Sequence, residues 1–308
     1  MSEPERVAVD PYPDERCSAV ALRLDEPLIG TASTVIRWVL VEQPGAWGPE
    51  SLPSSALPGV VAARLQAWAR SAGARLLLLR SPTRSVPLRR QCFVVASGPG
   101  RAWMRRLTTE HPADLLDLDL DAGFAAGGDG LGEVHDRPLF LVCTHGRHDP
   151  CCADLGRPLV RSLVGLEGLW ESSHVGGDRF AGNLVCLPHG LYYGRVGPED
   201  CARIVAAYRH GDVDLARYRG RSCYDFVTQA AEWFLRDALA VTAVEAVAPT
   251  DRTALGEGRH VVTFAVAALG VHRVVVQVTD VEPARTIACH GKGPARPRAY
   301  ELVAIEGP

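Results

Sequence analysis

Apolar residues in the first third of the chain alternate between strand-like runs and one helix-like stretch. The β-branched run at 34–43 and the continuous apolar runs at 75–81 and 91–97 predict buried strands. Residues 58–74 carry apolar side chains at helical spacing and end on small residues and glycine, which predicts a helix. The pattern therefore indicates an α/β unit in the N-terminal part of the chain.

The same succession returns in the middle of the chain. The pattern predicts, in order, a strand at 138–144, a helix at 149–165, a strand at 169–174, a hairpin at 184–196 and a helix at 198–211. A strand–helix–strand crossover followed by a hairpin and a last helix is the thioredoxin-like arrangement. We therefore expect an α/β fold with thioredoxin-like domains and a mixed sheet.

The remaining patterns suggest where the chain divides. The glycine-rich segment 121–136 is a linker candidate. After residue 214 the pattern predicts an amphipathic helix at 223–240 and antiparallel strands at 240–247, 259–267, 272–280 and 299–305. The predicted division is an N-terminal α/β domain at 1–133, a thioredoxin-like domain at 134–214 and a small α+β part at 215–308.

Composition restricts the classes of function. The formal net charge of −3 gives no electrostatic footprint for nucleic acid or an anionic membrane. No apolar run approaches the roughly 20 residues of a membrane span, and the acidic start "MSEPERVAVDPYPDER" lacks the apolar core of a secretory signal and is expected to be loosely attached. The expected location is the cytoplasm, where the nine cysteines would be reduced thiols or metal ligands.

The stretch "CTHGRHDPCC" at 143–152 has the highest density of possible metal ligands in the chain. Cys143 ends a predicted strand, where α/β folds place functional groups. Asp149 and Pro150 form a strong helix start, so Cys152 falls in the first turn, where the helix dipole favours a thiolate. The neighbouring Cys151 cannot easily pair with Cys152 in a disulfide, and only one of the two is expected to face a site.

A second group of donors follows in "HVGGD" at 174–178, where two glycines allow a tight loop. A single histidine in the position of His174 is most often a hydrogen-bonded core residue, and a single cysteine at a strand end, such as Cys143, is most often a small buried hydrophobic residue. The loop at 143–152 and the loop at 174–178 nevertheless lie at the same end of one strand–helix–strand unit. Two donors from each loop would together make a four-ligand site. His145 and His148 are expected to be solvated or to support the ligands, and Cys17 and Cys289 have no evident role.

The stretches "CTHGRHDPCC", "HVGGDRFAGN" and "LPHGLYYGRV", together with "GTASTVIRWVLVEQPGAWG" at 30–48, resemble the sucrase/ferredoxin-like family. The resemblance implies a thioredoxin-like ferredoxin domain with a [2Fe-2S] cluster held by two cysteines and by two histidines of an HxGGH loop. Cys143, Cys152 and His174 match three ligand positions. Asp178 stands where the family has its second histidine and is the expected fourth ligand. The alternatives are that His145, His148 or Cys151 takes the fourth position, or that this chain has lost the cluster.

The implied function is one-electron transfer with an unidentified redox partner protein, a reductase or an electron acceptor, rather than stand-alone enzyme activity. The residue types also allow a structural Zn²⁺ site, since Cys2His with Asp is an acceptable tetrahedral set. A thiol–disulfide oxidoreductase is a third alternative, although the chain has no CxxC pair. Glycoside hydrolysis would need a carboxylate pair that the sequence does not single out.

Overall fold

A ten-stranded mixed sheet runs through the first two thirds of the computed structural model, which describes Tyr12 and residues 14–83, 87–291 and 293–308. The strands are β1 (Arg37–Glu42), β2 (Ala74–Arg80), β3 (Arg90–Ala96), β4 (Trp103–Thr109), β5 (Glu133–Val134), β6 (Leu139–Cys143), β7 (Leu169–Ser172), β8 (Leu184–Leu187), β9 (Leu191–Tyr193) and β10 (Tyr218–Arg221). The helices of this region are α1 (Cys17–Arg23), α2 (Gly59–Ser71), α3 (Leu120–Ala125), α4 (Pro150–Ser162) and α5 (Pro198–Arg209).

The sheet has the strand order β10-β9-β8-β6-β7-β2-β1-β3-β4-β5. Its two halves, β1–β5 and β6–β10, share a similar topology. In each half a helix connects two parallel strands, β1 with β2 and β6 with β7. The first strand of each pair also has an antiparallel neighbour on its other side, which is β3 for β1 and β8 for β6. The halves join where β2 pairs antiparallel with β7, so that Leu79 lies opposite Ser172. The elements predicted in both halves are present, whereas the three-part domain division stays a prediction.

The structure differs from the sequence prediction at several elements. The glycine-rich segment 121–136 is more than a linker, because it contains part of α3 and the strand β5, which pairs with β4. Helix α1 and strand β4 were not predicted, since α1 has only seven residues and β4 carries charged residues among its apolar ones. The N-terminal lead expected to be loosely attached lies mostly outside the described residues.

The C-terminal part consists of helix α6 (Phe226–Leu239) on a separate four-stranded antiparallel sheet. Its strands are β11 (Val247–Gly256), β12 (Arg259–Val266), β13 (Gly270–Asp280) and β14 (Arg298–Glu306). The strand predicted at 240–247 is wrong, because that stretch forms a 3-10 turn and the strand begins at Val247. No helix in the described ranges is long and apolar enough to cross a membrane.

His189, in the turn between β8 and β9, gives a pH-dependent prediction. Burial and the nearby Arg221 lower its pKa from 6.5 to about 4, and its Nδ1 lies 2.7 Å from the Tyr208 hydroxyl. The unfolded chain therefore binds the proton more tightly, so the stability is complete above pH 6.5 and falls as the pH drops towards 4. We expect a loss of about 2 kcal/mol at roughly pH 5 relative to neutral pH.

Denaturant titrations of the wild type and of His189→Asn at both pH values measure this loss. The variant lacks the titrating group and should lose less stability between the two conditions. Equal losses in both proteins would contradict the assignment of the effect to His189.

Candidate metal centre

Two buried thiols meet at one end of the central strands. Cys143 is the last residue of β6, and Cys152 lies in the first turn of α4. As predicted, Asp149 caps this helix, and its Oδ1 accepts a hydrogen bond from the Cys151 amide at 2.9 Å. Gly156 lets α4 approach the strand closely, because a Cβ there would lie 2.1 Å from the Cys143 carbonyl oxygen. The close approach brings both thiols into one apolar core.

The loop 174–178 is held rigidly through its backbone carbonyls. Four successive carbonyl oxygens each accept hydrogen bonds from side chains that lie outside the loop. These donors are Arg75 to residue 174 (2.8 Å), Ser33 and Tyr192 to residue 175 (3.0 and 3.2 Å), Arg219 to residue 176 (3.1 Å) and Asn183 to residue 177 (2.9 Å). With the carbonyls fixed in this way, the His174 and Asp178 side chains are held at the site.

Arg219 is the buried cation beneath this loop. Its guanidinium also donates to Asn183 Oδ1 at 2.7 Å and to Thr31 Oγ1 at 3.0 Å. Burial lowers its pKa to about 9, which leaves the side chain charged at neutral pH. Asp178 and the Cys152 thiol lie near this positive charge, which would offset part of the negative charge of deprotonated metal ligands.

The donor atoms of the four predicted ligands lie close together. One donor atom from each of Cys143, Cys152 and His174 lies within 4.8 Å of the others. The Cys152 thiol donates to Asp178 Oδ1 at 3.1 Å, and His174 Nδ1 lies 2.9 Å from the same oxygen. That nitrogen is buried but not aligned for a hydrogen bond. A buried ring nitrogen that contacts a carboxylate next to two thiols fits a metal ligand.

The protonation states of these groups depend on one another. The hydrogen bond from Cys152 lowers the pKa of Cys143 well below its usual range, against the effect of burial, and the same contact raises the pKa of Cys152. Burial alone would lower the pKa of His174. The contacts with Asp178 and Cys143 have the larger effect and raise the pKa of His174 to about 9. Burial would raise the pKa of Asp178, and its contact with His174 lowers it instead. A bound cation would replace these protons.

The two histidines of the 143–152 stretch have different positions. His145 is buried, which contradicts the solvated alternative, because Gly48 and Ser51 of the other half cover it. Its Nε2 lies 2.7 Å from the Gly48 carbonyl, and its Nδ1 accepts from the His174 amide at 3.3 Å, so it positions His174. His148 is half-buried and stacks on His174 with ring centroids 3.8 Å apart.

His148 also belongs to a second donor triad, with His174 and Asp178. Cys151 points elsewhere and contacts Cys17 and Cys289 at 3.6 and 3.4 Å, so it does not replace a ligand at this site. The sequence provided no reason to assign a role to Cys17 or Cys289, and it did not single out the residues that hold the loop.

The glycines of the 174–178 loop allow a direct test of this positioning. Gly177 has a φ of +80°, and a Cβ there would lie 2.3 Å from Nη2 of the buried Arg219. We expect Gly177→Ala to lower stability by about 1–3 kcal/mol through backbone strain and this clash, and also to weaken metal binding. Gly211→Ala is the matched control, because Gly211 has a φ of +83° with no atom near the added Cβ.

Thermal unfolding and metal titration of both variants separate the two effects. The control should lose stability from strain alone and bind metal like the wild type. Equal metal affinity in both variants would contradict the positioning role of the Gly177–Arg219 contact.

Comparison with known proteins identifies the family of this chain. Neither the curated proteins nor the solved structures include a match to this chain. A family model described as Sucrase/ferredoxin-like matches residues 28–220, more than half of the chain, and includes all four predicted ligands. The match extends from the first half of the ten-stranded sheet to β10. The chain therefore belongs to the sucrase/ferredoxin-like family.

Proposed function

We propose that the chain is a [2Fe-2S] protein that transfers single electrons to or from a partner protein. Cys143 and Cys152 would bind one iron, and His174 and Asp178 the other. The observation that carries this proposal is the convergence of two thiols, an imidazole nitrogen and a carboxylate at one buried position. Thiolates and imidazole are ligands that iron–sulfur proteins use, and a carboxylate oxygen can also bind iron.

The donors around His174 are numerous enough to support a centre of two metals. His174 belongs to two overlapping triads, one with Cys143 and Cys152 and the other with His148 and Asp178. Centres in which histidines replace two cysteines on one iron likewise combine sulfur and nitrogen donors. Asp178 is favoured over His148 as the fourth ligand because its Oδ1 contacts both Cys152 and His174 and its side chain is more buried.

The topology of the two halves supports the thioredoxin-like assignment. Each half has a parallel strand–helix–strand unit with antiparallel strands beyond its first strand. The proposed ligands all come from the second half: from the last residue of β6, the first turn of α4 and the loop after β7. The C-terminal ends of the two parallel strands meet at the same edge, which explains why both loops reach one site.

Electrons would enter and leave through the histidine side of the site. Both thiols are almost fully buried, whereas the side chain of His174 is 21% exposed. His148 and His174 line a hollow of about 340 Å³ together with Arg75 and Glu50. A bound cluster supplies a one-electron couple, and these residues would bring a partner protein close to the imidazole edge. The partner itself is unidentified.

A single structural zinc ion is the second candidate. Donor atoms of Cys143, Cys152 and His174 within 4.8 Å of one another suit ligands around one ion. A bridged cluster with two irons separates its ligand pairs further, so Cys152 and Asp178 would have to move apart to hold it. Thiol–disulfide exchange is less well supported, because the thiol pair would have to act without a CxxC arrangement.

Anaerobic purification followed by metal and sulfide quantification distinguishes these candidates. The proposal predicts a red-brown protein with two irons and two acid-labile sulfides per centre and an EPR signal after one-electron reduction. A colourless protein whose Cys143 site holds zinc would contradict it and favour the zinc candidate. Disulfide reductase activity that persists after metal removal would instead favour thiol chemistry.

A further inference from the structure

A second group of metal-binding side chains lies on the other side of the first turn of α4. It consists of Cys17 in α1, Cys289 in the loop between β13 and β14, and Asp149 and Cys151 at the start of α4. One donor atom from each lies within 4.8 Å of the others. These residues are 132 to 272 positions apart along the chain, apart from the neighbours Asp149 and Cys151. Three remote segments therefore meet at this point.

The three thiols form a nearly equilateral triangle. The distances between Sγ atoms are 3.6 Å for Cys17 to Cys151, 3.4 Å for Cys151 to Cys289 and 3.5 Å for Cys289 to Cys17. With zinc–sulfur bonds of about 2.3 Å and tetrahedral angles, sulfurs around one zinc ion lie about 3.8 Å apart. In a four-iron cluster each cysteine binds a different iron, which places the sulfurs much further apart.

Asp149 supplies a fully buried carboxylate at the fourth corner. Its Oδ2 lies 3.7 Å from the Cys17 sulfur and accepts a hydrogen bond from the Cys289 amide at 2.6 Å. Among the described residues, no basic side chain forms an ion pair with it. A buried carboxylate beside three adjacent thiols is a donor set that suits a cation.

We propose that Cys17, Cys151 and Cys289, with Asp149 as the oxygen ligand, bind a structural zinc ion. Zinc favours tetrahedral sulfur-rich sites with four protein ligands, and it needs the thiols deprotonated. The ion would connect α1 and the β13–β14 loop to the helix that carries Cys152. This site is separate from the proposed iron–sulfur centre, and its presence does not depend on the metal at Cys143.

Two of these segments are also joined by a buried ion pair. Glu26, which follows α1, accepts a hydrogen bond at 2.8 Å from Arg285, which lies in the same loop as Cys289. Glu26 also accepts from Arg179 at 2.6 Å. Because the Glu26–Arg285 pair holds α1 to the β13–β14 loop without the metal, a variant of Cys289 should still fold.

Zinc quantification of purified variants tests the proposal. Cys17→Ser and Cys289→Ser should each lose one zinc ion per chain and keep the iron content of the wild type. Cys143→Ser should keep that zinc ion, and so should Cys223→Ser, the control at a half-buried cysteine outside both clusters. Unchanged zinc in Cys289→Ser, or no zinc in the wild type, would overturn the proposal.

Peptide-resolved alkylation of the wild type gives a test that needs no variant. Cys289 is partly exposed, so bound zinc should protect it, and a chelator should raise its alkylation severalfold while Cys223 does not change. Equal alkylation of Cys289 with and without the chelator would contradict zinc binding. A disulfide between two of the three cysteines in the protein as first purified, before any chelator is added, would contradict it as well, because the bond would remove two of the ligands.

Discussion

Cys152→Ser is expected to reduce the iron bound at the proposed cluster at least roughly tenfold, since loss of one ligand removes more affinity than loss of a supporting contact. Cys152 is buried against both Cys143 and Asp178, so no solvent molecule can easily take its place. Serine keeps the approximate size and the hydrogen bond to Asp178 but lacks a soft donor. The fold should therefore persist while the visible absorption disappears.

Cys223→Ser and Cys289→Ser are the controls for this result. Cys223 lies outside both donor clusters, and Cys289 belongs to the second one. Both variants should retain the iron and the absorption of the wild type. A Cys152→Ser protein with unchanged iron and unchanged colour would show that this residue is not a ligand.

Asp178→His is expected to raise the reduction potential by roughly 100–300 mV, because a neutral imidazole replaces a negatively charged carboxylate on one iron. The variant restores the HxGGH pattern of the family resemblance. A second ligand imidazole also adds a second ionisable N–H, so the potential should depend on pH over a wider range than in the wild type. Protein-film voltammetry across pH measures both effects.

His148→Gln identifies which residue is the fourth ligand. If Asp178 binds the iron, this variant keeps its cluster and shifts the potential little, since His148 only stacks on His174. The opposite pattern would assign the fourth position to His148. In that case Asp178→His leaves the potential unchanged and His148→Gln loses the cluster.

Local signals in the sequence predicted most of the candidate site. Asp149 followed by Pro150 predicted the start of α4, and two parallel strands predicted that the loops after β6 and β7 meet. The unusual glycine pair also predicted a tight loop at 174–178, which the structure has, with positive φ at both glycines. Such features depend on neighbours within a few residues, and periodicity and capping rules describe them well.

Contacts between distant segments could not be predicted in this way. Nothing near Cys17 or Cys289 in the sequence indicates that both reach Cys151, because their meeting depends on the placement of α1 and the β13–β14 loop. The sequence left open whether His145 is solvated or supports a ligand for the same reason, since its cover comes from Gly48. The joining of both halves through β2 and β7 likewise depends on strand edges, which a hydrophobic pattern does not identify.

The most direct test of the central claim is Mössbauer spectroscopy of isotope-enriched protein, purified without oxygen. If Cys143 and Cys152 hold one iron and His174 and Asp178 the other, the oxidised spectrum resolves two inequivalent ferric sites in equal amounts. One-electron reduction should then convert only the site with nitrogen and oxygen ligands to the ferrous state. Two identical sites, or a protein that binds zinc and no iron at these residues, would contradict the account.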